Sequence, residues 1–252
     1  MKALVTGASS GIGKDMTKVL AKLNYDLVLV ARNKEGLDKV KLELQKENAK
    51  INIKTFEMDL NIKENCYKLY EQEKNIDLLI NNAGFGLYGE FTETDLEKEI
   101  NMINTNITAV HILTKLYLKE MVKENKGHIL NVASIAGFMP GPHMATYHAT
   151  KAYVLKLTQS IYEELRKRNS NVKISALCPG PIKTPFLEKA NVEFKTKVMT
   201  STEVANYAID KMFEGKYMIL PGANNKMIRF LSKIVPDKTI GKIVYNMETK
   251  RK

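Results

Sequence analysis

Residues 2–13 of the chain read KALVTGASSGIG, which is a short apolar run followed by a glycine-rich turn. An amphipathic stretch comes next, so the turn links a predicted strand to a predicted helix. Glycines let the backbone turn sharply there and approach a pyrophosphate, which lies on the helix N-terminus. The spacing is Gly-x-x-x-Gly-x-Gly rather than Gly-x-Gly-x-x-Gly, and an ordinary glycine-rich turn is the alternative. The candidate nucleotide contacts are Gly7, Ser9, Ser10, Gly11, Ile12 and Gly13.

The alternation of apolar runs and amphipathic stretches continues along the chain. Strands are predicted at Lys2–Thr6, Asp26–Ala31, Asn52–Glu57, Ile76–Asn81, Gly127–Ala133, Val172–Leu177 and Tyr217–Leu220. Helices are predicted between them, at residues 12–23, 34–48, 61–74, 92–124, 147–169 and 201–214. This pattern predicts an α/β fold with a doubly wound, seven-stranded parallel sheet and helices on both faces. No linker divides the chain, so residues 1–252 are predicted to form a single Rossmann-type domain.

The composition sets limits on the class of protein. The 252 residues are 44% hydrophobic, which excludes a disordered chain. No apolar run approaches the roughly 18 residues that a membrane-spanning helix needs. Two cysteines, Cys66 and Cys178, exclude a disulfide framework and a cysteine-rich metal site, and the four histidines lack ligand spacing. We therefore expect a cytoplasmic protein without a bound metal.

The basic charge is concentrated at the C-terminus. The chain carries a net charge of +11, and residues 226–252 contain eight Lys/Arg against two Asp/Glu. Such a tail can bind nucleic acid or an anionic membrane surface. We favour a solvated face, since charge runs alone are weak evidence and no aromatic-plus-basic motif is present. We therefore expect no nucleic-acid binding and no membrane contact.

An apolar stripe in the same tail predicts helices after the last strand. Its members are Met227, Ile228, Phe230, Leu231, Ile234 and Val235. Pro236 ends the stripe, and a second amphipathic segment runs from about Thr239 to Met247. We expect this extension, residues 223–252, to pack on the core or to roof the substrate loop. The alternatives are an oligomer interface and a membrane-contacting face.

Two further signals concern the cofactor and the proton chemistry. Arg32-Asn33 follows the second predicted strand, where an acid would hold a ribose and an arginine suits a 2′-phosphate, so NADP is favoured over NAD. Tyr147 and Lys151 share one helix face. A lysine there would stabilise the phenolate and lower the pKa of Tyr147. Ser134 ends a predicted strand, at the rim where α/β folds bind ligands.

The motifs, taken in order, resemble those of the short-chain dehydrogenase/reductase family over roughly residues 1–220. The set comprises Thr6–Gly13, Asp59-Leu60, Asn81–Gly84, Asn106, Ser134, Tyr147 with Lys151, and Pro179–Thr184. The resemblance implies a Rossmann-fold oxidoreductase that uses NADP(H) and a small carbonyl or alcohol substrate. It also implies a homodimer or homotetramer, paired through the helices at residues 92–124 and 147–169.

The family resemblance implies a role for each matching position. Tyr147 would be the general acid that protonates the carbonyl oxygen, and Ser134 would orient that oxygen. Lys151 would hold the nicotinamide ribose, and Asn106 would help to pass protons to solvent through water. Further cofactor contacts are implied at Asp59 and Leu60 (adenine), Asn82 (ribose), Ile182 and Thr184 (nicotinamide), and Ala83, Gly84, Pro179 and Gly180 in the same motifs. Asp59 could instead cap a helix, and Asn106 could be a core amide.

The substrate pocket is predicted from three segments: Phe85–Tyr88, Phe138–Met144 and the substrate loop at residues 185–200. The first two are rich in apolar side chains, which suits an apolar ketone. The C-terminal extension resembles that of DltE-like and hydroxysteroid dehydrogenase-like carbonyl reductases. We therefore expect reduction of ketones, ketoesters or hydroxysteroid-like substrates. The alternatives are a 3-oxoacyl-[acyl-carrier-protein] reductase and a non-catalytic NADP-binding redox sensor.

Overall fold

The computed structural model describes residues 1–183 and 199–249. The strands are β1 (Lys2–Thr6), β2 (Asp26–Ala31), β3 (Ile53–Glu57), β4 (Leu78–Asn81), β5 (His128–Val132), β6 (Lys173–Leu177), β7 (Ile182–Lys183), β8 (Met199–Thr200) and β9 (Met218–Ile219). The helices are α1 (Gly11–Lys22), α2 (Lys34–Glu47), α3 (Lys63–Gln72), α4 (Leu96–Ile103), α5 (Val110–Glu124), α6 (Ala145–Lys167), α7 (Ser201–Phe213), α8 (Ala223–Leu231) and α9 (Asp237–Thr249).

Seven strands form one parallel sheet in the order β3-β2-β1-β4-β5-β6-β9. Leu4 of β1 pairs with Val28 on one side and with Leu79 on the other, so the strand order reverses between β1 and β4. Ligands of such sheets bind outside the carboxyl ends of the strands at this reversal. The predicted seven-stranded parallel sheet is confirmed, and each strand lies within two residues of its predicted bounds.

Helices cover both faces of the sheet because successive strand residues point to opposite sides. Val5 belongs to a core cluster with side chains of α1, α2 and α7. Its neighbour Leu4 belongs to a second cluster, with side chains of α3 and α5. A third cluster joins β5 and β6 to α6, through Ala133, Ala176 and Val154. The predicted doubly wound arrangement is confirmed.

Two helical segments differ from their predicted form. The predicted helix at residues 92–124 starts at Leu96, because the Asp95 side chain accepts a hydrogen bond from the N–H of Lys98 at 2.8 Å and caps it. Residues Asn104–Ala109 then form a π-helical turn between α4 and α5. In the tail, α8 ends at Leu231, four residues before the apolar stripe ends, and Pro236 directly precedes α9. The predicted pair of C-terminal helices is confirmed.

Acid is expected to destabilise the fold through His128, which starts β5. Burial lowers the pKa of this imidazole from 6.5 to about 4. Above pH 6.5 His128 is neutral in both the folded and the unfolded chain, so its contribution to stability is complete. As the pH falls towards 4, the unfolded chain binds a proton that the folded chain does not, and this contribution to the free energy of unfolding is lost. The loss amounts to about 3 kcal/mol in the free energy of unfolding. Urea unfolding at a series of pH values measures it.

The control for that experiment is the exposed His111. His128→Gln should flatten the decline between pH 6.5 and 4, whereas His111→Gln should leave the decline unchanged. Equal pH dependence in the His128 variant and the parent chain would contradict the assignment.

Candidate active site

The glycine turn after β1 is closely packed against the end of β4. Gly7 and Gly11 have positive φ angles of 67° and 56°, which side chains other than glycine rarely adopt. A Cβ atom on Gly13 would lie 2.4 Å from the carbonyl oxygen of Gly7 and 2.4 Å from Nδ2 of Asn82. The backbone therefore requires glycine at these positions, and the N-terminus of α1 faces the carboxyl edge of the sheet.

Hydrogen bonds fix the β4 loop against this turn. The Asn82 side chain donates to the carbonyl oxygens of Thr6 and Gly7 at 3.0 and 3.3 Å. The Thr6 hydroxyl accepts from the N–H groups of Asn82 and Ala83 at 3.0 and 2.9 Å. Gly84 lies directly beyond, where a Cβ atom would meet Oδ1 of Asn106 at 2.9 Å. The two predicted nucleotide motifs thus form one rigid surface.

Arg32 directly follows β2 and lines the same cavity as the glycine turn. Its guanidinium is largely exposed, with Nη1 3.8 Å from Oδ2 of Asp59 and the guanidinium carbon 6.0 Å from the centre of the Phe85 ring. Asn33, which follows it, caps α2 by accepting a hydrogen bond from the N–H of Gly36 at 2.9 Å. Arg32 therefore remains available for an anionic group.

Asp59 does not cap α3, because this helix begins after Ile62. The Asp59 carboxylate instead accepts a hydrogen bond from the N–H of Asn61 at 3.0 Å. This bond closes a tight turn after β3 and holds Asp59 beside Arg32. Leu60 is buried under the same turn.

Ser134 and Tyr147 are brought together at the end of β5. The Ser134 hydroxyl accepts from the N–H of Ala136 at 3.1 Å and donates to the carbonyl oxygen of Pro179 at 3.3 Å. It is also hydrogen-bonded to the phenol of Tyr147. The serine thereby joins α6 to the loop after β6. The family resemblance implies that both side chains act on the same substrate oxygen, and those roles stay predictions.

Lys151 lies one turn along α6 from Tyr147, but it does not lower the tyrosine's pKa in this structure. Its ammonium donates to the carbonyl oxygen of Val132 at 2.8 Å and lies 5.8 Å from the centre of the Tyr147 ring. Burial raises the pKa of Tyr147, and the Ser134 hydrogen bond opposes that rise. Burial also lowers the pKa of Lys151 to about 8. The expected depression of the Tyr147 pKa is therefore corrected, because burial raises this pKa more than the Ser134 hydrogen bond lowers it.

Asn106 occupies the π-helical turn and is completely buried. Its amide donates to the carbonyl oxygen of Phe85 at 2.9 Å and to the Thr150 hydroxyl at 3.1 Å. Its Oδ1 atom accepts from the N–H of Phe85 at 3.1 Å. The side chain thus anchors the loop after β4 to α6. The implied part in a proton relay stays a prediction.

A single cavity of about 1090 Å³ connects most of the predicted site residues. Those that line it are Gly7, Ser9, Ser10, Gly11, Ile12, Arg32, Asn33, Asp59, Leu60, Asn82, Ala83, Gly84, Ser134, Tyr147, Lys151, Pro179, Gly180 and Ile182. Gly13 and Asn106 support the lining from behind without belonging to it. Thr184 lies outside the described residues, as does the substrate loop up to residue 198.

The C-terminal helices supply lining residues that the motifs did not identify. Apolar side chains of α8, α9 and the turn between them face the cavity, namely Ile228, Leu231, Val235, Ile240, Ile243 and Val244. The apolar stripe was the signal for them. Of the predicted pocket segments, Phe85, Tyr88, Met139, Met144 and Met199 line the cavity, whereas the Phe138 ring lies under the guanidinium of Arg229 at 4.6 Å. The tail therefore lines the cavity, and the substrate loop that it is predicted to roof lies outside the described residues up to residue 198.

Fold, motif order and cavity define a nucleotide-binding oxidoreductase, and comparison with known proteins identifies its family. The model for "short chain dehydrogenase" matches residues 1–194. The chain belongs to the short-chain dehydrogenase family, and it is an oxidoreductase of carbonyl and alcohol groups that uses a nicotinamide cofactor.

Individual relatives bear different activities. A 3-oxoacyl-[acyl-carrier-protein] reductase of Rickettsia prowazekii is 31% identical over 210 residues, which cover 82% of this chain and 83% of the relative. A short-chain dehydrogenase from Sphingobium yanoikuyae, solved with NADPH, is 29% identical with a TM-score of 0.82, covering 93% of this chain and 96% of that one.

Two further structures differ in ligand and substrate. A bulky-bulky ketone specific alcohol dehydrogenase from Comamonas testosteroni is 28% identical with a TM-score of 0.79, covering 93% of this chain and 94% of its own. A short-chain dehydrogenase/reductase from Burkholderia phymatum, solved with NAD, is 25% identical with a TM-score of 0.80, covering 90% and 91%. The family therefore fixes a nicotinamide cofactor, and these relatives include both forms of it.

Residues 1–183 and 199–249 contain no group of three or more His, Cys, Asp or Glu placed to hold a metal ion. Within the same residues, no helix has the length and apolar character needed to cross a membrane.

Proposed function

We propose that this oxidoreductase is an NADPH-dependent carbonyl reductase acting on apolar ketones, ketoesters or hydroxysteroid-like alcohols. The observation that carries the proposal is the continuous cavity, which runs from the glycine turn past Tyr147 to the apolar side chains of α8 and α9. Such a cavity accommodates a dinucleotide and an apolar substrate side by side. The polar groups that could act on a carbonyl oxygen lie between these two parts.

The cofactor site fits a dinucleotide because its backbone can come close to a pyrophosphate. The positive φ of Gly7 and the close approach of Gly13 to the Gly7 carbonyl oxygen keep the turn tight at the N-terminus of α1, where a pyrophosphate would lie. The exposed guanidinium of Arg32 supports NADP over NAD, since its paired donors match a 2′-phosphate. A bound nicotinamide supplies the hydride, and the protein supplies position and protons.

Tyr147 is proposed as the proton donor to the substrate oxygen. Ser134 holds its phenol by a hydrogen bond and offers a hydroxyl to the same oxygen. Because burial raises the pKa of Tyr147, the phenol is protonated at neutral pH and ready to donate in the direction of reduction. Lys151 is proposed to hold a ribose hydroxyl of the cofactor, and its positive charge would favour negative charge on the phenol as the proton leaves.

The substrate class is proposed from the lining of the cavity. Met139, Met144, Leu231, Val235 and Val244 surround the part beyond Tyr147 with apolar surface. Apolar walls favour an apolar carbonyl compound by removing its surface from water. The bulky-ketone activity of the Comamonas relative agrees with this choice.

The second candidate is a 3-oxoacyl-[acyl-carrier-protein] reductase, favoured by the Rickettsia relative. Oxidation of NADPH and NADH, followed with ketones, ketoesters, oxo-steroids and β-ketoacyl thioesters, separates the two. Turnover restricted to thioesters would replace the first proposal by the second. Tight NADPH binding without any turnover would favour a redox sensor.

Replacing Arg32 tests the choice of cofactor. Arg32→Asp is expected to weaken NADPH binding by about tenfold or more, since a charge-assisted bond to the 2′-phosphate is lost, and to favour NADH relatively. The ratio of kcat/KM for the two cofactors measures the effect. Arg168→Asp, an exposed arginine at the end of α6, is the matched control. An unchanged ratio in the Arg32 variant would refute the assignment.

Assembly and location complete the proposal. We propose one domain over residues 1–252 and a homodimer or homotetramer paired through α4–α5 and α6, for which light scattering is the test. A single-chain mass at working concentration would refute it. The two buried cysteines, Cys66 and Cys178, are both unpaired, which supports a reducing, cytoplasmic location.

A further inference from the structure

The outer side of α8 and the turn after it exposes large apolar side chains. Met227, Phe230 and Ile234 are 63%, 62% and 63% exposed. Met227 and Phe230 are three residues apart and share a helix face. The sequence alone favoured a solvated face for this tail, but a solvated face would carry polar side chains here. The exposed apolar groups require another explanation.

This apolar surface continues to the mouth of the cavity. Leu231 and Ile243 line the cavity and are also 43% and 51% exposed, so they stand at its entrance. Ile228 and Val235 face inward on either side of Leu231. The apolar lining of the cavity and the exposed apolar side chains of the tail are thus continuous, and α8 lies between them.

Unpaired cations surround the stripe. The basic residues of the described tail are Lys226, Arg229, Lys233, Lys238 and Lys242, and none forms an ion pair with a described carboxylate. Between residues 223 and 252 the acidic residues are Asp237 and Glu248. A second copy of the chain would bring an equally basic tail against this one, and like charges repel. The complementary partner is anionic.

We propose that this tail docks the protein on an anionic lipid surface. Met227, Phe230 and Ile234 would enter the boundary between headgroups and acyl chains, and Lys226 and Lys233 would contact the lipid phosphates. Amphipathic helices with apolar and basic faces bind membranes in this way without spanning them. The entrance formed by Leu231 and Ile243 would then face the lipid.

Vesicle sedimentation tests the proposal with the full chain. We expect binding to vesicles of equal parts phosphatidylcholine and phosphatidylglycerol, but not to phosphatidylcholine alone. Phe230→Ser with Ile234→Ser, and separately Lys226→Glu with Lys233→Glu, should each lower the partition coefficient roughly tenfold or more. None of these four side chains lines the cavity, so turnover of a water-soluble substrate should be unchanged.

The matched control is a pair on α2, Leu42→Ser with Lys46→Glu, which removes an exposed apolar group and an exposed cation far from the tail. Circular dichroism melting verifies that each variant is folded, independently of any reductase activity. Equal binding to both vesicle types, no binding to either, or equal losses in the control pair would overturn the proposal. A tail variant that lowers the oligomeric mass in light scattering would also overturn it, because this face would then join copies of the chain.

Discussion

Tyr147→Phe is expected to lower kcat by about two orders of magnitude or more, the usual contribution of a general acid. The variant loses the phenolic proton, while the ring and its helix remain in place. Ser134 keeps its bonds to Ala136 and Pro179, so the loop after β6 should not move. NADPH affinity should therefore be nearly unchanged. Single-turnover kinetics and fluorescence titration of NADPH measure the two quantities separately.

The matched control is Tyr153→Phe, which removes a hydroxyl from the same helix. The Tyr153 hydroxyl is bonded to Nδ1 of His111 at 2.7 Å, away from the cavity. This variant should keep its kcat. Near-parent turnover in Tyr147→Phe would remove Tyr147 from the proposed role, and an equal fall in both variants would indicate a general disturbance of α6.

Gly13→Ala is expected to damage both cofactor binding and stability. The new methyl group would lie 2.4 Å from the Gly7 carbonyl oxygen and from the Asn82 amide, so backbone must move. Overpacking of this kind costs about 1–3 kcal/mol in the free energy of unfolding. The displaced turn would also lose contact with the pyrophosphate, which should weaken NADPH binding roughly tenfold or more, the equivalent of one bond to a charged group.

Gly241→Ala makes the same chemical change in helix α9 and should have the opposite effect on stability. Its Cβ atom would meet only Cγ of Pro140 at 3.7 Å, an ordinary contact. Alanine is favoured over glycine inside a helix by about 0.5–1 kcal/mol, so this variant should be slightly more stable. Urea unfolding and NADPH titration of both variants complete the test. Unimpaired NADPH binding by Gly13→Ala would refute the assignment of the turn.

The sheet was predictable from the sequence because its central strands are covered on both faces. β1, β2 and β6 are nearly continuous apolar runs between turns, a pattern that few other structures produce. The position of the site followed from the same pattern, since the carboxyl ends of parallel strands share one edge. The motifs of Ser134 and Tyr147 therefore predicted that both residues belong to one site at this edge.

Other features depend on three-dimensional packing that no local pattern reports. The sequence of the π-helical turn, Asn104–Ala109, has a pattern of apolar and polar residues that predicts an ordinary helix. The turn is explained by the hydrogen bonds that Asn106 makes to Phe85 and Thr150. The predicted lowering of the Tyr147 pKa was wrong for a similar reason. The i, i+4 spacing identified Lys151, but burial, which decides the outcome, is a property of the whole fold.

Because the tail lies outside the three core clusters, folding and the shaping of the substrate cavity depend on different parts of the chain. None of these clusters contains a residue from α8 or α9, and α8 has no buried residue. The sheet and its flanking helices therefore form the folding core without the last two helices, which line the entrance and far wall of the cavity. Selection can exchange or remodel this segment with little risk to folding. New substrate ranges can thus arise on an unchanged catalytic scaffold.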